Sequence, residues 1–445
     1  MNLLKWMYPG LKVKRWFVLF LAGVLVAAVG LAMFAGRRLL GAVELNLTDL
    51  LGALTGRFVP RRLTGAAVAV TGLGIAVFAV QRLVLTVIQA VSPRGGRRLG
   101  ELLFERRQLE RGPRLVVVGG GTGLPVLLRG LKEHTANLTA IVTVADDGGS
   151  SGRLRGELGV LPPGDVRNCL VALADREPVM ERLFQYRFGS GEGLAGHSFG
   201  NLFIAAMSAL HGDFQGGVKE ASRVLAVRGQ VLPATLSSVV LCGQLADGTV
   251  VRGETAIPAQ GKDIVRVWLE PDCAAVPDAI EAIRAADAVV IGPGSLYTSI
   301  IPNLLVKGMA AALREAQGPI VYVANIMTQP GETTGYSVGG HIRAIRRHAG
   351  EGLISHVLLS TSAVKPELLA RYAKEGSQLV PVSSRELEEL GVRALRAPLL
   401  AAGELIRHDP GLLAEAVLRL VQQARTAAGT PGIARYTLGE RLRRL

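Results

Sequence analysis

Uncharged apolar runs and short apolar–polar alternations divide the chain into two unlike regions. Residues 16–35 are 20 positions without a charged side chain. At about 1.5 Å per residue, a helix of that length reaches roughly 30 Å, the thickness of a bilayer core. Residues 64–81 form a second run of 18 uncharged positions, and apolar character resumes beyond Arg82 as far as Ile88. This run is rich in Ala and Gly, the small residues that close helix packing in lipid uses. The pattern predicts a membrane hairpin in residues 1–92, with transmembrane helices over about 16–35 and 64–88. The first run is too long for the apolar core of a signal peptide, and no small-x-small cleavage site with a secreted-type domain follows it.

From Leu115 onward, apolar runs, glycine turns and amphipathic stretches succeed one another. They predict strands over 115–118, 139–144, 237–242, 288–291, 320–324 and 356–360, and helices over 124–134, 199–210, 277–286, 300–316 and 410–426. Alternation of this kind predicts an α/β domain over 115–445, with a mostly parallel sheet covered by helices on both faces. The stretch LADGTVVRGET interrupts it, and Asp247-Gly248 reads as a tight turn in a small β excursion. Residues 93–114 read as a juxtamembrane linker, helical after Gly100, whose basic side chains reach anionic headgroups.

Charge sharpens the division. The formal net charge is +14, yet residues 1–114 hold 17 Lys and Arg against 5 Asp and Glu, a net +12. The remaining 331 residues carry +2, so the excess does not mark a nucleic-acid surface. Lys5, Lys12, Lys14 and Arg15 precede the first apolar run, and eight arginines lie between Arg82 and Arg114. The loop between the runs has five arginines, Arg37, Arg38, Arg57, Arg61 and Arg62. Twelve against five places both ends of the hairpin, and the domain that follows, in the cytoplasm. Cys169, Cys242 and Cys273 have no metal-ligand spacing and read as small core residues in a reduced compartment.

Two strand-to-helix turns carry the candidate chemistry. In LVVVGGGTGLPVLL, the residues Gly119, Gly120, Gly121, Thr122 and Gly123 expose consecutive backbone N–H groups at a helix start, where an anion is stabilised. The dinucleotide pattern G-x-G-x-x-G fails here, because its third position is Leu124 or Val126. In AVVIGPGSLYTSIIPNLL, Gly292, Gly294 and Ser295 repeat the same physics, and Tyr297 is placed to stack on a base or sugar. Asp146 and Asp147 end the second strand, where carboxylates accept ribose hydroxyls, hold Mg²⁺, or simply finish a turn. Arg153 follows in a Gly/Ser loop and suits a phosphate. Asp165, next to Arg167 and Asn168, is either a helix N-cap or a ligand contact. His197, Ser198 and Asn201 mark a glycine-flanked helix start, either a polar ligand-facing turn or a cap beside a packed imidazole. No nucleophile elbow accompanies them. Asn325, Thr328, Gln329 and Glu332 offer polar readout after a later strand.

Taken together, VVVGGGTGLPVLLRGLK, TVADDGGSSGRLR, PPGDVRNCLVALAD, GHSFGNLFIAAM, IGPGSLYTSIIPNLLV and ANIMTQPGET resemble the YvcK-type gluconeogenesis-factor family. That family lies in the CofD-like superfamily, whose enzymatic relative is 2-phospho-L-lactate transferase. The resemblance implies a Rossmann-like fold that binds UDP-sugars, notably UDP-N-acetylglucosamine. It also implies a role in cell shape and envelope metabolism on gluconeogenic carbon, with no required cofactor and no assigned reaction. By motif position, Tyr297, the GGGTG glycines and Asp146 or Asp147 would line the nucleotide-sugar cleft. In the transferase branch the acidic turn helps to position a deazaflavin substrate and a metal, which keeps that activity, and Mg²⁺ at Asp146 and Asp147, as the alternative. SLYTSIIPNLLV and HSFGNLF favour the YvcK-type branch. The membrane helices depart from the plain cytosolic members. The expected partners are a nucleotide sugar and the bilayer, with self-association open and no nucleic acid. An NAD(P)-dependent oxidoreductase is disfavoured by the degenerate glycine pattern and the want of a hydride-transfer acid–base pair.

Overall fold

The computed structural model describes residues 14–35, 61–91, 106–175 and 178–427. The chain forms two compact units, residues 1–105 and 106–445. In the first, α1 (Lys14–Phe34) and α2 (Arg61–Val91) are each long and apolar enough to cross a membrane, with mean hydropathy 2.7 and 2.1 over their candidate spans. They pack antiparallel through small residues. A Cβ on Gly30 would lie 2.2 Å from the Ala69 amide nitrogen, and one on Gly72 would lie 2.3 Å from that of Ala27. Backbones this close admit no side chain between them. The loop between the helices lies outside the described residues. So do Lys5, Lys12, Arg37, Arg38, Arg57, Arg94, Arg97 and Arg98 of the orientation count.

The second unit begins before the expected boundary. Residues 106–114 belong to it, and Asn137 Nδ2 donates to the carbonyls of Glu110 and Gly112, both at 2.8 Å. Its strands are β1 (Leu115–Gly119), β2 (Leu138–Val142), β3 (Gln230–Pro233), β4 (Val240–Leu245), β5 (Val250–Arg252), β6 (Ile264–Glu270), β7 (Ala288–Ile291), β8 (Ile320–Val323), β9 (His356–Ser360) and β10 (Arg393–Ala397). Seven of them form one sheet in the order β10-β9-β8-β7-β1-β2-β3, with every neighbouring pair parallel. All residues of β1, β2, β7 and β8 are buried, so both faces are covered, and their mostly aliphatic composition follows. This is the expected α/β fold.

The helices used below are α3 (Gly123–Leu131), α4 (Gly149–Leu158), α5 (Gly164–Leu173), α6 (Phe199–His211), α7 (Ile301–Leu305), α8 (Val338–Ala349) and α9 (Pro410–Ala427). From β1 the chain fills one side of the sheet through β2 and β3, then crosses to β7 and continues to β10. The order therefore reverses between β1 and β7, the place where open α/β sheets bind ligands.

Two expected elements differ. The strand expected over 237–242 is β4, which lies in a separate antiparallel sheet, β5-β4-β6, that holds the Asp247-Gly248 turn. The helix expected over 300–316 is broken. A π-wound turn, Leu296–Ile300, leads into α7, then Val306 turns extended and Gly308 adopts φ +96° before a new helix, Met309–Glu315. Apolar periodicity runs straight through this break, because both pieces bury the same face against the core.

Candidate active-site cleft at the sheet switch point

The two glycine turns meet at the carboxyl ends of β1 and β7. Gly121 has φ +65° and Gly292 has φ +80°, backbone conformations that glycine adopts without steric cost. Their contact excludes side chains. A Cβ on Gly123 would stand 2.5 Å from the Pro293 carbonyl oxygen. Asn303 on α7 bonds the end of β1 to the helical run that follows the second turn, donating to the Gly119 carbonyl at 3.0 Å and the Ser299 carbonyl at 2.7 Å. Gly121, Thr122, Gly123, Gly294, Ser295 and Asn325 line one cleft of about 230 Å³. Asn325 Nδ2 donates to the Gly294 carbonyl at 2.9 Å, and Gln329 Nε2 donates to Ser295 Oγ at 2.7 Å, so both polar side chains hold the second turn in place.

Internal carboxylates already engage both turns. Asp165 lies in the first turn of α5, after Pro163 at the cap position, and its Oδ2 accepts from the Gly121 N–H at 2.7 Å. It is a brace for the glycine turn rather than a cap of its own helix. Burial, reinforced by the Asp146 charge, pushes its carboxyl up to about 6. At the second turn, Glu332 accepts from the Tyr297 N–H at 3.1 Å and the Thr298 hydroxyl at 3.0 Å, and burial raises its pKa as well.

Tyr297 is placed differently from the expectation. Its side chain is fully buried, with its hydroxyl 2.8 Å from that of Tyr336 and its ring edge-to-face with Tyr336 and His348. The aromatic supports the turn from within the core and offers no open face for stacking. The phenol stays un-ionised, since burial and the Tyr336 hydroxyl raise its pKa.

Of the remaining candidates, Gly119, Gly120 and Gly292 do not line the cleft, and Asn168, His197 and Asn201 belong to a polar network outside its lining. Arg167 is the centre of that network, donating to Ser198 Oγ at 2.5 Å, Asn201 Oδ1 at 3.0 Å and Asn168 Oδ1 at 2.8 Å. Ser150 Oγ stands 2.9 Å from His197 Nδ1 and accepts from Asn201 Nδ2 at 3.1 Å. Ser198 caps α6, and burial, with Arg153 nearby, holds the His197 imidazole below its ordinary pKa. Arg153 donates to the Ala195 carbonyl at 2.8 Å, fixing the loop that carries His197. Asp146 and Asp147 turn to different partners. Asp146 accepts from the Gly148 N–H at 2.8 Å, whereas Asp147 accepts from the Thr255 N–H at 3.0 Å and hydroxyl at 2.9 Å. Glu254 lies near both, and its pKa is pushed up to about 9 by burial and by Asp146 and Asp165. Among the described residues, no group of three or more His, Cys, Asp or Glu side chains is arranged to hold a metal ion.

The opposite wall of the cleft was not anticipated. Ile406, Arg407 and His408 come from the segment ahead of α9, far from every glycine motif. Arg407 is the one cation among the lining residues, and His408 is buried with Nε2 lacking a partner. Burial pushes the His408 pKa down to about 4, so its ring is neutral near pH 7. IRHD, an isolated basic pair, gives no local signal of this placement.

Comparisons with known proteins agree with the fold. The family model for 2-phospho-L-lactate transferase CofD matches residues 115–400. A Nostoc sp. protein carrying the gluconeogenesis-factor name is 49% identical over 419 residues, 93% of this chain and 92% of its own. The gluconeogenesis factor of Bacillus subtilis is 48% identical over 313 residues, 70% of this chain and 99% of its own. A crystal structure of a Bacillus halodurans protein is similar at TM-score 0.67 and 50% identity, covering 69% of this chain and 99% of that one. A second crystal structure, similar to the same degree, is described as a member of the UPF0052 family.

Proposed function

The chain belongs to the family of 2-phospho-L-lactate transferase CofD, alongside the gluconeogenesis factors, and from that premise we propose that it is a membrane-tethered regulator that binds a nucleotide sugar. UDP-N-acetylglucosamine is the proposed ligand, and cell-envelope metabolism during growth on gluconeogenic carbon is the proposed setting. The observation that carries the reading is the convergence of both glycine turns on one cleft at the sheet switch point. Thr122, Gly123, Gly294 and Ser295 would receive the diphosphate, and Arg407 would neutralise it from the facing wall. At about 230 Å³ the cleft is smaller than typical small-molecule sites. It takes the diphosphate with part of the sugar or base, and the rest extends over the rim. On the same reading α1 and α2 cross the membrane and the second unit lies on the cytoplasmic side.

Thermal-shift titration of the full chain in detergent tests the proposal. UDP-N-acetylglucosamine raises the melting temperature by mass action, while N-acetylglucosamine alone does not. Arg407→Ala weakens binding about tenfold, the loss of one charge-assisted contact. No shift at millimolar nucleotide sugar removes the reading.

The acidic group of Asp146, Asp165 and Glu254 beside the first turn favours a second one, a transferase of the deazaflavin-cofactor type. Mg²⁺-dependent product formation from a nucleotide-activated phospholactate donor, lost in Asp146→Ala, would put it first.

A further inference from the structure

Among its described residues, the hairpin sets Lys14, Arg15 and Arg82 at one end with no acidic side chain to meet them. Arg82 is the one charged residue between Leu63 and the end of α2, and the antiparallel packing sets it level with Lys14 and Arg15 at the start of α1. Among the described hairpin residues, 14–35 and 61–91, there is no Asp or Glu. A cation in such a helix must find an anion or reach water.

Four side chains converge there. Trp16 and Phe78 pack edge-to-face, with centroids 6.0 Å apart at 79°. The Arg82 guanidinium lies 5.3 Å from the Phe78 ring and 5.9 Å from that of Trp16, and Arg15 lies 4.8 Å from the Trp16 ring. Stacking uses the face of a guanidinium and leaves its in-plane N–H donors for an acceptor. The indole N–H of Trp16 is buried beside them without a partner. Two guanidinium groups and an unpartnered indole N–H therefore gather around one aromatic pair, with no acidic side chain among the described hairpin residues.

We propose that Arg15, Trp16 and Arg82 form a binding site for the phosphate of an anionic phospholipid. A lipid phosphate is delivered at headgroup depth, where the arginine side chains end. It neutralises Arg15 and Arg82 together, and the indole N–H supplies a further donor. The site fixes the depth of the hairpin and ties it to the leaflet that carries anionic lipid. The proposal rests on the reading of α1 and α2 as membrane-spanning.

The test is native mass spectrometry of the full chain extracted from membranes and supplied with phosphatidylglycerol or phosphatidylcholine. Wild type retains phosphatidylglycerol preferentially, and Arg82→Ala loses about fivefold of that retention. Arg82→Lys keeps the charge without the stacking fork and falls between them. Arg62→Ala, at the other end of the hairpin, leaves retention unchanged. Equal retention of the two lipids, unchanged retention in Arg82→Ala, or displacement by inorganic phosphate overturns the site. Extraction at alkaline pH separates the two readings. A chain that washes off the membrane refutes the spanning helices and the site together. One that stays inserted without a lipid preference refutes the site alone.

Discussion

Asp165 shows how one residue loads the site electrostatically. Its carboxylate is buried, braces the Gly121 amide and titrates near 6 in place of its ordinary 3.8. The folded state therefore holds this proton more tightly than the unfolded state does. Above about pH 6 the folded chain carries a buried charge, and the cost, on the order of 3 kcal/mol, fades as pH falls toward 4. Asp165→Asn keeps an acceptor for the Gly121 N–H and removes the charge, though its amide hydrogens need partners of their own. The expected outcome is a net gain of about 1–2 kcal/mol at pH 7.5 that shrinks toward zero by pH 4.5, read from urea melts of both proteins at both pH values. A variant equally destabilised at both would show that the amide fails as a brace. The charge also opposes a second anion in the adjoining cleft, so the same substitution should tighten binding of a phosphorylated ligand at neutral pH.

At the scale of elements, α3 is the mechanical link between the cleft and the rest of the domain. It starts at the first glycine turn and lies directly on α9, where a Cβ at Gly130 would stand 1.9 Å from the Pro410 carbonyl oxygen. Gly130→Val must push the two helices apart. It should cost about 1–3 kcal/mol, measured as a lower melting temperature. Because Arg407 and His408 lie just before α9, the same separation should widen the cleft and weaken ligand binding beyond the stability loss. Normal affinity in a folded Gly130→Val protein would show that the α3–α9 contact does not set the cleft. α7 has a matching role, since its Asn303 bonds the Gly119 carbonyl at the end of β1 to the helical run that follows the second glycine turn.

For the whole molecule, the family model falls within the second unit, and the Bacillus subtilis relative matches 70% of this chain over 99% of its own length. Residues 106–445 alone should therefore fold and bind the nucleotide sugar within about twofold of the full chain by calorimetry. A tenfold weaker fragment would assign part of the site to the hairpin. The apolar lengths of the two helices, the alternation of strand and helix, and both glycine turns were legible in the sequence, because each depends on neighbours within a dozen residues. β3 and β10 were not. β3 is only four residues long, and β10, Arg393–Ala397, reads as polar because it lies at a sheet edge. The sequence also held the residues of the polar network, but not their partners: the bond from the Gly121 amide to Asp165 spans 44 positions, and that from Tyr297 to Glu332 spans 35. Chain order carries no trace of which side chains become neighbours across a sheet. Only the folded sheet decided that Tyr297 faces the core, and only it brought Arg407 and His408 to the cleft from the far end of the domain. Local periodicity determined most of the elements, and the reversal of strand order between β1 and β7 decided where they form a site.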